Sequence, residues 1–209
     1  PAESSLTRDD FYWGAMLGIA ELLAAGTTCV SDMYRASGEL LRAAADSGVE
    51  IAVIHPSGEP YAEDEREDRL QCAIDTIGRL NKVAKEAGIT LALENLPRTC
   101  LGRDIKEMTA ILASIDGLYA CFDTNHSLKD DNVEFVRALG SRIIALHVSD
   151  YDFINERHRM PFDGKNDWKG ITNALKEVGY SGTWNYEVST DGRRAAEFTE
   201  NYARLLENA

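Results

Sequence analysis

The chain has 209 residues, 44% of them hydrophobic, and a formal net charge of −13, enough for one large domain or two small ones with a sizeable core. That acidic balance excludes a nucleic-acid backbone or an anionic membrane as the main partner, because both are repelled at long range, while a divalent cation is attracted. No apolar run approaches the ~20 residues that span a bilayer, and the four cysteines, Cys29, Cys72, Cys100 and Cys121, form no CxxC pair. They read as reduced thiols of a cytoplasmic protein. The opening PAESSLTRDD has no Met and no basic stretch followed by an apolar one, which reads as a trimmed start without a secretory signal.

In chain order, a helix is expected over DDFYWGAMLGIAELLAAG (9–26), then a strand over TCVSDM (28–33) and a helix over SGELLRAAADSG (37–48). The strand EIAVIH (50–55) leads to a long helix, EDEREDRLQCAIDTIGRLNKVAKEAG (63–88), whose charged start, AEDEREDR, reads as a solvated outer face. Next come the strand TLALEN (90–95), the helix DIKEMTAILASI (104–115), the strand LYACFD (118–123) and the helix DNVEFVRALG (131–140). The strand RIIALHVSD (142–150), the helix DWKGITNALKEVG (167–179), the strand GTWNYEVS (182–189) and a last helix over GRRAAEFTENYARLLENA (192–209) complete the chain. Several helices end at a glycine, Gly48, Gly88, Gly140 or Gly179, which suits a left-handed residue just past the helix. Short apolar runs alternating with longer amphipathic ones predict an α/β fold with a six-stranded parallel sheet, a TIM-barrel-like arrangement that is incomplete or rearranged, in a single domain over 1–209.

The polar residues fall in a pattern along those strands. Glu94, Asp123 and Glu187 end apolar runs, His147 lies near the end of another, and His55 and His126 sit at or just past two more. In a parallel α/β barrel all carboxyl ends of strands open on one face, so residues far apart in sequence converge there. Period-two alternation puts Ala92 with Glu94, Cys121 with Asp123, Ala145 with His147 and Asn185 with Glu187, leaving small or polar residues beneath each candidate. Singly, each is more simply a hydrogen-bonded strand end or a helix cap. Together, three carboxylates and an imidazole repel or protonate unless a cation joins them. Glu94, Asp123, His147 and Glu187 are therefore candidate ligands of a divalent metal, and such a shell does not choose among Mn2+, Mg2+, Co2+ and Zn2+. A metal of this kind binds adjacent substrate oxygens, lowers the pKa of a hydroxyl and stabilises an enediolate.

From about residue 51 to 208 the motifs IAVIHPSGEP, LALENLP, CFDTNH, ALHVSD, ERHRMPFDGKNDW and YEVS resemble the xylose-isomerase-like TIM-barrel superfamily, which includes sugar phosphate isomerases and epimerases. The resemblance implies a metal-dependent isomerase or epimerase of a small sugar-like substrate. It implies Glu94, Asp123, His147 and Glu187 as metal ligands, Glu94 and Glu187 as the catalytic acid/base pair, and His55, His126 and His158 as substrate-binding residues. The segment LTRDDFYWGAMLGIAELLAAGTTCVSDMY is instead similar to the amidohydrolase superfamily, in its cytosine and S-adenosylhomocysteine deaminase branch. The HxH pair and later metal ligands of those enzymes have no counterpart here, so Thr27 and Asp32 carry no catalytic role.

One chain thus joins a piece of about 1–49 to another of about 50–209, with a seam near 49–51. The alternative to a sugar isomerase with reduced turnover is a recombined or engineered chimera of barrel fragments whose purpose is structural. Six strands leave either altered closure or open edges, which predicts a homodimer or a domain-swapped assembly. An endonuclease-like phosphodiesterase is disfavoured by the acidic charge. Arg98, Arg103 and Arg157 are either phosphate contacts or surface arginines, and Trp168 is expected to pack against the core.

Overall fold

The structure, a computed structural model, describes residues 5–24, 37–48, 50–58, 62–189 and 192–207. Helices α1 (Arg8–Ala24) and α2 (Ser37–Ser47) precede strand β1 (Ile51–Ile54), and a 3-10 turn leads into α3 (Arg66–Glu86). Then follow β2 (Thr90–Glu94), α4 (Ile105–Ser114), β3 (Tyr119–Asp123), α5 (Asn132–Leu139), β4 (Ile143–Val148), α6 (Trp168–Glu177), β5 (Trp184–Tyr186) and α7 (Ala195–Glu207). Three helices start where the sequence offers an aspartate cap. Asp104 accepts from the Glu107 amide at 2.9 Å, Asp131 from those of Val133 and Glu134 at 2.8 and 3.2 Å, and Asp167 from that of Gly170 at 3.0 Å. Each carboxylate occupies a donor left unpaired in the first turn.

The strands form one parallel sheet in sequence order, β1-β2-β3-β4-β5. Residues alternate between its two faces. Leu91, Leu93, Ala120, Phe122, Leu146 and Val148 enter the main core with the helices. Val53, Ala92 and Cys121 form a separate small cluster, with Ile51, Ile144 and Ala145 against it. The expected small residues thus lie beneath the strand-end polar groups. In-register pairs set those ends side by side: Glu94 opposite Cys121, Asp123 opposite His147, and His147 opposite Asn185. Among the described residues the result is an α/β half-barrel, consistent with an incomplete TIM barrel.

Five strands, not six, occur among the described residues. The expected strand at 28–33 lies outside them. The outer edges of β1 and β5 consequently have no strand partner among the described residues. The last strand is shorter than the sequence pattern suggested and stops at Tyr186, one residue before Glu187. AEDEREDR is not simply a solvated face. Arg66 is buried and pairs with Glu107, its Nη2 donating to Glu107 Oε2 at 2.7 Å. Glu63 holds Arg103 at 2.6 Å. The two contacts tie the start of α3 and the turn before it to α4 and the segment leading into α4.

Candidate metal centre

The carboxyl ends of four adjacent strands bring Glu94, Asp123, His147 and Glu187 together, with one ligand atom of each lying within 4.8 Å of the others. Glu94 and Asp123 are the last residues of β2 and β3, at 2% and 0% exposure. His147 is the penultimate residue of β4 and is also buried. Glu187, half-buried, follows β5 and is held to the sheet by its amide, which donates to the Val148 carbonyl at 3.1 Å. A side-chain clasp sets the spacing of the two buried carboxylates. Asn95 Nδ2 donates to the Asp123 carbonyl at 3.0 Å, and its Oδ1 accepts from the Asp123 amide at 2.7 Å.

The cluster is not closed by its own hydrogen bonds. Asp123 Oδ1 accepts from the Asn125 amide at 2.6 Å, but Asp123 Oδ2, His147 Nδ1 and Glu187 Oε2 are buried without a hydrogen-bond partner. His147 Nδ1 lies 2.9 Å from Glu187 Oε2, 3.1 Å from Glu94 Oε1 and 3.9 Å from Asp123 Oδ2. Those separations give attraction without the alignment of a hydrogen bond. One nitrogen facing three carboxylates, with three of the four atoms orphaned, is costly as a self-contained network. It suits a shared cation, and the hard oxygens plus one imidazole fit Mn2+, Mg2+, Co2+ or Zn2+.

Electrostatics agree with that crowding. Burial opposes ionisation of Glu94, yet His147 and His55 outweigh it and hold its carboxyl at about 2. Burial pushes Asp123 upward, and the charges of Glu94 and Glu187 add to the shift. Burial likewise drives the Cys121 thiol up to about 12, so this neighbour of His147 stays protonated. With Glu94 and His147 it also forms a group whose ligand atoms lie within 4.8 Å of one another and could hold a metal ion.

The three histidines expected at the substrate all border the cluster. His55, exposed just past β1, faces Glu94 Oε2 through Nε2 at 3.2 Å. His126 is buried and uses Nδ1 to reach the Asn95 carbonyl at 2.9 Å. Desolvation works against its charge, but Asp123 and Glu156 raise its pKa to about 9. His158 reaches the Glu187 carbonyl through Nδ1 at 3.0 Å, and its ring centroid is 6.2 Å from that of His126. Trp168 packs as expected, buried, with Nε1 donating to Asp150 Oδ2 at 2.8 Å.

Sequence reasoning assigned nothing to three other residues here. Asn95 is the clasp just described. Buried Asp150 accepts from the amides of Tyr151, Phe162 and Asn166 at 2.8, 2.9 and 3.0 Å besides Trp168, folding the loop after β4 around one carboxylate. Glu156, on that loop, contacts His126. The arginines considered for phosphate each meet a carboxylate: Arg98 meets Glu156 at 2.8 Å, Arg103 meets Glu63 at 2.6 Å, and Arg157 meets Asp152 at 2.8 Å.

Residues 32–208 match the family described as Xylose isomerase-like TIM barrel. The chain belongs to that family. An uncharacterized protein of Methanocaldococcus jannaschii is 26% identical over 189 residues, covering 85% of this chain and 62% of its own length. A crystal structure of a D-tagatose 3-epimerase-like protein superposes with a TM-score of 0.72 at 25% identity, covering 82% of this chain and 66% of that one. A 5-methylthioadenosine/S-adenosylhomocysteine deaminase of Dictyoglomus thermophilum is 45% identical over 53 residues, which is 25% of this chain and 12% of the deaminase. The family match begins at residue 32, ahead of the seam expected near 49–51. The chain spans less than two thirds of the archaeal relative. No helix among the described residues is long and apolar enough to cross a membrane.

Proposed function

We propose that this protein is a divalent-metal-dependent isomerase or epimerase of a small sugar or keto-sugar, with Glu94, Asp123, His147 and Glu187 as metal ligands. The observation that carries the reading is the trio of buried, unpartnered atoms, Asp123 Oδ2, His147 Nδ1 and Glu187 Oε2, gathered with Glu94 at four adjacent strand ends. The likeness to a D-tagatose 3-epimerase-like protein supports the substrate class. When bound, the cation would polarise neighbouring oxygens of a polyhydroxy carbonyl compound and ease removal of an adjacent proton.

The chain's own residues supply the rest. Glu94 follows from β2 and Glu187 from the end of β5, with β3 and β4 between them, so a substrate over the cluster is flanked by two carboxylates able to take and return a proton. His55 and His158, bordering Glu94 and the Glu187 backbone, offer ring nitrogens to substrate hydroxyls. Burial of Glu94, Asp123 and His147 keeps water from dispersing the field of the site. The edges of β1 and β5, which have no strand partner among the described residues, support assembly as a dimer through strand pairing. The short deaminase-like match, over 25% of this chain, supports a separate origin for part of it.

The deciding experiment is aldose/ketose interconversion or epimerisation with added Mn2+ or Co2+, comparing the parent with Glu187→Gln. The variant keeps the shape of the side chain and is expected to lose about 100-fold or more in kcat, since it removes a proton carrier and a ligand together. A parent without metal-stimulated turnover on any ketose or aldose overturns the proposal.

A further inference from the structure

We propose that Glu156, anchored by Arg98, is a positioning residue that fixes the His126 ring at the mouth of the carboxylate cluster. The ring has two attachments. Nδ1 reaches the Asn95 carbonyl at 2.9 Å and Nε2 lies 3.3 Å from Glu156 Oε2. The other oxygen of the same carboxylate, Oε1, meets Arg98 Nη1 at 2.8 Å, and that nitrogen also donates to Asn155 Oδ1 at 3.0 Å. A continuous chain of polar contacts therefore runs from the segment after β2, through the loop after β4, to a histidine beside two of the ligand carboxylates.

Two features separate this chain from incidental surface pairing. Arg98 takes φ of +52°, a left-handed conformation uncommon for a residue with a side chain and characteristic of constrained functional segments. The ring it serves sits close to the cluster, with Nδ1 3.5 Å from Glu94 Oε1 and 3.6 Å from Asp123 Oδ2. Held only by the Asn95 carbonyl, the imidazole is free to pivot about that single contact. A second contact at the opposite nitrogen removes the freedom. The consequence for turnover rests on the proposed metal-dependent reading, but the fixing of the ring does not. His126, Glu156 and His158 also stand near enough to one another to share a cation, so the test must separate positioning from ligation.

The chain has four histidines, so side-chain 15N resonances are assignable with one His→Gln variant each. In metal-free protein, Glu156→Gln and Arg98→Met are both expected to shift and broaden the His126 Nε2 signal while leaving those of His55 in place. In the metal-loaded enzyme, each variant is expected to lower kcat about tenfold with KM changed less than twofold, as suits a mispositioned group. Glu156→Asp, which keeps the charge, should recover part of the loss. Bound cation per chain should be the same in parent and variants. Unmoved His126 signals in the two variants overturn the assignment, and so does a second cation in the parent that Glu156→Gln abolishes, because Glu156 is then a ligand. Should Glu156→Gln fail to fold, Arg98→Met alone decides, since it leaves the carboxylate in place. A parent that binds no cation refutes the proposed function, while the ring signals still decide this one.

Discussion

Asp123→Asn separates a cation-binding cluster from a merely crowded one. The Asp123 side chain is wholly buried, with Oδ1 already accepting from the Asn125 amide and Oδ2 unpartnered. Asparagine preserves the volume and the Oδ1 contact while deleting one of three neighbouring negative charges. The metal-free variant is therefore expected to lie within about 1 kcal/mol of the parent, because relief of repulsion offsets the misplaced amide. Added metal should behave oppositely. A cation at 100 times its Kd stabilises the parent by about 2.7 kcal/mol, which for a chain of this size raises Tm by roughly 5–10 °C. In Asp123→Asn the increment should fall below about a third of that, because a buried anionic ligand has gone. The assay is thermal unfolding of chelator-treated protein with and without millimolar Mn2+, for parent and variant side by side. A parent Tm indifferent to both chelator and Mn2+ refutes the reasoning. So does a variant that keeps the full increment.

Two further perturbations probe the scaffold around the site. Glu107→Gln breaks the buried pair with Arg66, whose guanidinium also donates to the carbonyls of Thr99 and Cys100 at 2.8 and 2.6 Å, and should cost about 3–5 kcal/mol in urea unfolding. The same pair gives a pH signature. Burial opposes ionisation of Glu107, but Arg66 outweighs it and lowers the pKa below 4.5, so the stabilisation is present above the unfolded value and is lost as pH falls through the folded one. The urea midpoint should drop between pH 7 and pH 3.5 in the parent and drop less in Glu107→Gln. Asp150→Asn turns an acceptor of four N–H groups into a side chain with a donor facing donors. It should cost about 2–3 kcal/mol and expose the 151–167 loop to limited proteolysis, while a variant as protease-resistant as the parent would show that the loop is held by other means.

Helix starts and strand ends were legible because their causes are local. Asp104, Asp131 and Asp167 cap within three residues of themselves, and an apolar run closed by Glu94 or Asp123 marks both the strand and the end at which polar groups gather. Convergence of those ends followed from topology, since parallel strands in sequential order carry every carboxyl end to one side. The misreadings arose where a distant partner changed a residue's environment. Arg66 lies in a run of charges that alone reads as solvated, yet Glu107, forty-one positions later, draws it inside. The strand expected at 28–33 lies outside the described residues, so the count of five neither uses nor replaces it.

The site residues that sequence reasoning missed share one property: each acts on another residue. Asn95 ties its own strand end to the Asp123 backbone 28 positions away. Asp150 gathers the amides of Tyr151, Phe162 and Asn166, and Glu156 meets His126. Candidate ligands announce themselves by chemical type and by a repeated place at strand ends, because a carboxylate is conspicuous wherever an apolar run stops. A residue that orients a ligand or its neighbour needs only a hydrogen-bonding group within reach after folding, and asparagines, arginines and glutamates in loops are common. The one signal available beforehand was adjacency, since Asn95 follows Glu94 directly and Glu156 stands two residues before His158. A residue next to a candidate ligand or histidine shares its loop, and so stays near the site however the loop folds.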